Sequence, residues 1–216
     1  MKKTTLRSLF AAGALALGLT GAAQAQNFSF SCVTNNDAGD CAIAEAQLGL
    51  AVDTAESGFV KFIFTNTSQL ASSITDIYFD WLNPADALAQ GTIGNSAGVS
   101  FSWGASPGNL PGGNTLSPAM TSAELSADSD APAMHNGVNA EDEWVSFRFA
   151  TGSSNPLQDL FAGSLRIGVH VQGFDSEGSE SLVAIAAPVP EPETYALMLA
   201  GLGIVGAMAR RKRKQG

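Results

Sequence analysis

Residue types that carry catalysis are sparse in this 216-residue chain, and the most suggestive is one serine. Ser96 lies in Gly94-Asn95-Ser96-Ala97-Gly98, the Gly-x-Ser-x-Gly spacing of a nucleophilic serine held on a strand-to-helix turn. Residues 99–103, however, alternate apolar and polar side chains as a strand does, whereas the catalytic turn requires a helix there. We therefore predict that Ser96 is a turn residue and keep ester hydrolysis as a distant alternative.

Metal ligation has weak support in the sequence. The only histidines, His135 and His170, have no carboxylate or second histidine at the local spacing typical of zinc sites. Acidic residues cluster at 128–130, 141–143 and 175–180, and calcium binds such oxygen-rich loops, but no cluster has the Asp-x-Asp-x-Asp-Gly pattern. We predict solvated acids on turns, no metal and no cofactor, and leave bound calcium open as the alternative.

Sugar binding depends on where the three tryptophans point. Trp81, Trp103 and Trp144 all lie in segments with strand-like alternation, so packing in the core is the default prediction. A tryptophan facing solvent would instead offer its ring for stacking on a sugar. The carboxylate pair of a glycosidase is defined by a spatial separation, so the sequence assigns no catalytic residue.

Period-2 alternation runs through most of the chain and predicts strands separated by loops rich in Gly, Pro, Ser and Asn. Residues 44–52 fit either a strand or a short helix, and we favour a strand. One short helix is predicted, with Asn155 as N-cap, Pro156 at the first position and Gly163 at the end. The fold class is therefore all-β, an antiparallel β-sandwich over residues 26–187, with predicted strands at 28–31, 59–65, 74–81, 99–103, 144–149, 165–172 and 181–187.

The N-terminal 25 residues have the pattern of a secretory signal peptide. Lys2, Lys3 and Arg7 form a basic start, residues 9–19 form an uncharged and largely aliphatic run, and Ala23-Gln24-Ala25 supplies the small-x-small site of signal peptidase. We expect the exported chain to begin at Gln26.

The C-terminus has three features in sequence. Residues 188–193 are stiff because prolines alternate with other residues, and they are acidic because two of those other residues are glutamates. Residues 194–209 are uncharged and reach about 24 Å as a helix, slightly short of a bilayer core, and the basic side chains that follow extend the span by snorkelling. Those side chains also orient the segment with its basic end in the cytoplasm; they are Arg210, Arg211, Lys212, Arg213 and Lys214.

Pro190-Glu191-Pro192, the apolar stretch and the basic cluster together resemble the PEP-CTERM sorting signal of Gram-negative bacteria. The resemblance covers residues 189–216. It implies recognition by an exosortase, with Pro190, Glu191 and Pro192 as the recognition residues. It also implies transient anchoring in the inner membrane, followed by passage to the cell surface or medium. Body segments such as 64–67, 74–79 and 165–180 look like recurrent segments of such proteins and imply no activity.

Charge excludes nucleic acid as a partner. Residues 26–189 hold 18 acidic residues against the three basic residues Lys61, Arg148 and Arg166, a net charge of −15. Binding to phosphates requires clustered Lys and Arg. The acidic body suits an exported protein and leaves divalent cations as natural partners.

Cys32 and Cys41 are the only cysteines. In an oxidising compartment an even pair predicts a disulfide, and the Asn, Asp and Gly residues between them predict a turn. The pair lacks the Cys-x-x-Cys spacing of redox sites, and no histidine lies near enough in sequence to suggest a metal site.

Three regions follow from these observations: a signal peptide at 1–25, a body at 26–187 and a sorting signal at 188–216. We predict a non-catalytic structural protein of the cell surface or extracellular matrix. The family context adds a link to exopolysaccharide and biofilm. A calcium- or carbohydrate-binding sandwich is the alternative.

Signal peptidase is expected to cut after Ala25, because the Ala-x-Ala site directly follows the apolar run. N-terminal sequencing of the exported protein should therefore start at Gln26. A start far from this residue would contradict the boundary.

Overall fold

The computed structural model describes residues 26–152 and 154–186. The predicted signal peptide and sorting segment lie outside these residues. The strands are β1 (Gln26–Cys32), β2 (Leu48–Asp53), β3 (Phe59–Asn66), β4 (Ser73–Trp81), β5 (Thr92–Asn95), β6 (Phe101–Trp103), β7 (Leu125–Ser129), β8 (Trp144–Ala150), β9 (Leu165–Gln172) and β10 (Ser179–Ala186). The helices are α1 (Ala38–Gln47), α2 (Ala133–Asn136) and α3 (Pro156–Ala162).

All ten strands belong to one sheet, and every neighbouring pair is antiparallel. The order across the sheet is β5-β8-β3-β2-β1-β10-β9-β4-β7-β6. The prediction of an all-β antiparallel fold is confirmed.

The sheet folds over so that its two halves pack face to face. Phe79 of β4 lies 5.3 Å from Phe147 of β8 between ring centroids, although five strands separate β4 from β8 in the sheet. Side chains of β3 alternate between the two faces of the sheet, and this places Val60, Phe62 and Phe64 in the core between the two halves. Truncating one such buried ring to Ala removes about 3–5 kcal/mol of stability.

A long loop, residues 104–124, covers the outer surface of the half formed by β10, β9 and β4. Its Leu110 and Met120 are fully buried with Tyr78 in a second small core. Gly168 makes room for them, because a Cβ there would lie 2.9 Å from Leu110. Arg166 anchors the loop by pairing with Asp80 and donating to the carbonyls of Pro118 and Ala119.

Helix α1 corrects two sequence predictions. Residues 38–47 form a helix where a turn and the start of a strand were predicted. Asp37 caps it, accepting from the backbone N–H groups of Gly39 at 2.7 Å and Asp40 at 3.2 Å, and the Ala-rich sequence that follows has high helix propensity. Strand β2 then begins at Leu48. The predicted helix near Asn155 is confirmed as α3, ended by Gly163 with φ 75°.

Cys32 and Cys41 lie at disulfide-bonding distance, with their Cα atoms 5.7 Å apart. The bridge joins the end of β1 to the first turns of α1, rather than the two arms of a hairpin.

Glu180 lies beside this bridge and is 0% exposed. Its carboxylate accepts the backbone N–H groups of Asn36 at 3.1 Å and Asp37 at 2.6 Å, and the hydroxyl of Thr34. The prediction that the acids at 175–180 are solvated is therefore wrong for Glu180. The carboxylate replaces water as the acceptor for the segment that leads into α1.

Replacing Glu180 with Gln is expected to lower the free energy of unfolding by about 2 kcal/mol, because an amide presents a donor to groups that are themselves donors. Urea unfolding of the oxidised protein measures the change.

The matched control is Glu177→Gln, an exposed acid on the same β9–β10 turn, for which a change within about 0.5 kcal/mol is expected. Equal effects of the two substitutions would show that Glu180 does not hold the segment.

Candidate functional site

Ser96 is not placed as a nucleophile. It follows β5, its hydroxyl accepts the backbone N–H of Trp144 at 2.9 Å, and its own N–H donates to the Trp144 carbonyl at 3.0 Å. The chain then turns at Gly98, with φ 90°, and enters β6. This is strand–turn–strand geometry, as the alternation of residues 99–103 predicted, and the helix that a nucleophile elbow requires is not in its place.

The two histidines lie on separate elements. His135 is exposed on α2, whereas His170 is half-buried on β9 with Nδ1 3.1 Å from the Ser181 hydroxyl. Burial lowers the pKa of His170, and the backbone and charge of Glu180 oppose that shift. The neutral ring is therefore favoured.

Within residues 26–152 and 154–186, one set of three potential metal-ligating side chains is close enough to share an ion, namely Cys32, Cys41 and Glu180. The two thiols are bonded to each other, and the Glu180 oxygens accept hydrogen bonds. The set therefore offers no thiolate ligand.

A row of polar residues crosses the covered half of the sheet. Strand register places Ser181, His170, Asp76, Asp128 and Ser102 side by side on β10, β9, β4, β7 and β6. Asp76 is 5% exposed, and its carboxylate accepts the Thr75 hydroxyl at 2.8 Å. The row brings together a serine, a histidine and an aspartate that are distant in sequence.

Burial raises the pKa of Asp76. Burial also raises the pKa of Asp128, and the neighbouring charges of Asp76 and Asp130 raise it further. The covering loop closes over this row, since the Tyr78 hydroxyl donates to the Pro107 carbonyl at 3.1 Å. We interpret Asp76, which is buried, and Asp128, which is half-buried, as a structural pair whose ionisation lowers stability. We favour this role over catalysis because the loop lies where a substrate would approach.

The tryptophans divide between core and surface. Trp81 is 3% exposed, and Trp103 packs its ring 5.3 Å from Phe147 between centroids. Trp144 is 38% exposed, so the prediction of core packing is wrong for this residue. The parity of β8 explains the difference: Val145 and Phe147 point inward, and Trp144 points outward with Ser146 and Arg148.

Trp144 lies on the outer surface of the uncovered half of the sheet. We define the Trp144 face as the outward side chains of four neighbouring strands, β2, β3, β8 and β5. The register arranges them in three rows: Gly49, Thr65 and Trp144; Ala51, Ile63, Ser146 and Gly94; and Asp53, Lys61, Arg148 and Thr92.

The middle of this face is a shallow depression of about 220 Å³, lined by Lys61, Ile63, Trp144 and Ser146. A Cβ at Gly94 would lie 2.9 Å from the Ser146 hydroxyl oxygen and 3.5 Å from the Trp144 ring. Glycine at this position therefore lets β5 lie close beside the indole.

Two of the three basic residues of the body lie on the Trp144 face. Arg148 pairs with Glu56 through two hydrogen bonds, and its guanidinium lies 3.3 Å from the centroid of the Phe59 ring. This pairing lowers the pKa of Glu56. Among the described residues, Lys61 is the basic side chain without an ion pair.

Comparison with known proteins gives one match. The family model of the PEP-CTERM protein-sorting motif matches residues 188–214. No curated protein and no solved structure matches the chain. The predicted recognition residues Pro190, Glu191 and Pro192 and the five basic residues fall in the matched segment, outside the described residues. None of the described helices has the length and apolar character needed to cross a membrane.

Replacing Asp128 with Asn is expected to raise the free energy of unfolding at pH 7. A carboxyl group whose pKa is raised by folding favours the folded state while it is protonated, and that contribution is lost as pH rises through the folded-state pKa. The gain should be at most about 1 kcal/mol, because Asp128 is partly exposed, and it should vanish at a pH below the unfolded-state pKa.

Urea unfolding at several pH values measures this effect, with the exposed Asp142→Asn as the control for loss of one charge. A gain that persists unchanged at acidic pH, or equal gains for the two variants, would contradict the assignment to the Asp76–Asp128 pair.

Proposed function

We propose that this chain is exported and sorted to the cell surface by an exosortase, because its residues 188–214 match the PEP-CTERM protein-sorting motif. We propose further that its body is a non-catalytic structural component of the cell surface or extracellular matrix. The observation that carries this proposal is that side chains with the chemistry for catalysis or metal binding are held in structural contacts. Ser96 holds a turn, Glu180 holds the entry to α1, and Asp76 lies beneath a loop.

The features around the core support a role outside the cell. A fully buried, hydrogen-bonded carboxylate and a disulfide, a bond that persists in oxidising compartments, secure the segment between β1 and α1. The strong negative charge of the body keeps copies apart in solution. We propose that this protein associates with exopolysaccharide and biofilm, and that it does so through a binding surface on the body.

For the sorting segment, we propose the arrangement that its sequence predicts. Residues 194–209 anchor the chain transiently in the inner membrane, the basic tail keeps the C-terminus in the cytoplasm, and Pro190-Glu191-Pro192 is presented to the exosortase outside it. Signal peptidase acts at the other end, after Ala25.

Carbohydrate binding is the second candidate function, and the exposed ring of Trp144 favours it over calcium binding. The acids at 128–130 belong partly to β7, where Asp128 pairs across the sheet with Asp76 rather than forming an open loop. We propose that the body works without a metal or cofactor. Urea unfolding that shifts on addition of calcium chloride would oppose this.

Replacing Pro190, Glu191 and Pro192 together with Ala is expected to block processing while leaving membrane insertion intact. Insertion depends on the apolar span and basic tail, which the change does not touch. Cleavage should fail because the rigid acidic segment is gone. The variant should accumulate at full length in the inner membrane, as mass spectrometry of its C-terminus would show.

The matched control is the double substitution of Pro84 and Asp86 with Ala in the exposed body segment Pro84–Asp86, which should be processed normally. The exosortase assignment fails if the wild-type protein in a host that has the enzyme keeps its basic tail, Arg210 to Lys214.

A further inference from the structure

We propose that the Trp144 face is a binding site for a neutral polysaccharide, with one sugar ring stacked on the indole of Trp144 and the chain lying across β3 and β8. This inference deepens the carbohydrate-binding candidate given above. It names the site, the ligand class and the residues that would select it.

The shape of the face fits a flat ligand. The residues beside Trp144 in the strand register are small or short, namely Gly49, Thr65, Ser146 and Gly94, and the longer side chains of Lys61 and Ile63 line the same depression. This arrangement leaves the apolar indole of Trp144 partly exposed, with the hydroxyl-bearing Thr65 beside it in the strand register. A sugar presents the matching surface, because its C–H groups lie on one face of the ring and its hydroxyls lie at the rim.

The position of the face also fits a ligand outside the cell. Trp144 pairs with Thr65, which pairs with Gly49 near the start of β2. The other end of β2 lies beside Gln26, and Phe28 pairs with Ala186 where β10 ends. Gln26 and Ala186, the first and last described residues, therefore lie at one end of the sheet. Trp144 lies towards the opposite end.

Charge selects a neutral chain over an acidic one. On the third row, the positive charges of Lys61 and Arg148 are balanced by Asp53 beside Lys61 and by Glu56 paired with Arg148. The face is thus locally neutral on a body with 18 acidic residues against three basic. A polyanion would be repelled at long range, whereas Lys61 lines the depression beside Trp144 and can donate to uncharged sugar hydroxyls.

The test uses the processed protein purified from the surface of the producing bacterium. Affinity gel electrophoresis against a soluble neutral glucan and against an anionic uronic-acid polymer measures binding to each. The wild-type protein should be retarded by the neutral glucan. Trp144→Ala should weaken that binding at least tenfold, because an exposed aromatic ring at a contact centre dominates binding energy.

Two further variants separate stacking from loss of structure. Gly94→Val should also weaken binding, since its side chain would crowd the indole and the Ser146 hydroxyl. Phe161→Ala removes an exposed aromatic residue on α3, outside the Trp144 face, and should bind like the wild type. Thermal unfolding shows whether each variant is folded, and Trp144→Phe should restore part of the binding.

Several results would overturn the proposal. These are binding to the anionic polymer alone, binding to neither polymer, neutral binding that persists in Trp144→Ala, or self-association of the protein that Trp144→Ala abolishes. Surface delivery is measured in the same samples. Normal delivery without glycan binding defeats this inference alone, whereas failure of delivery defeats the proposed surface role.

Discussion

The contact on which the rest of the structure depends is the aromatic cluster around Phe79. Its ring lies 5.2 to 6.4 Å between centroids from five others. Four belong to β3 and β8 in the opposite half of the sheet, namely Phe62, Phe64, Phe147 and Phe149, and the fifth is Trp81. Because the chain builds a single sheet, the strands of these two halves are not paired with each other, and among polar contacts the buried Asn66 of β3 links them by donating to the carbonyls of Ser72 and Val138. Burial of the rings folds the sheet and creates one inner layer and two outer surfaces.

The two outer surfaces differ because only one of them is covered. The loop at 104–124 adds a second core around Tyr78 and encloses Asp76, and Arg166 ties the loop to the sheet through Asp80. That half accordingly holds the titratable groups in structural contacts. The other half has no such loop among the described residues and presents Trp144 at a shallow depression. The buried polar row thus lies in the covered half, and the open half presents the face that we propose for recognition.

Local signals in the sequence were sufficient for the strands that alternate cleanly and for α3, whose caps are explicit. They were insufficient for β5 and β7, which are short and gain their definition from neighbours, and for α1, where an N-cap followed by alanines competed with a turn interpretation. The row from Ser181 to Asp128 was hidden because strand register is a long-range property. The exposure of Trp144 was accessible: its parity matches Ser146 and Arg148, and opposes Val145 and Phe147.

Chemical accessibility of the three tryptophans tests the central claim most directly, namely that the sheet folds around Phe79 and leaves one open face with an exposed indole. Limited oxidation of the native protein with N-bromosuccinimide, followed by peptide mass mapping, ranks their reactivity. The account predicts that Trp144 is oxidised first and Trp81 last. Oxidation of Trp81 or Trp103 before Trp144, or of all three at one rate, would contradict it.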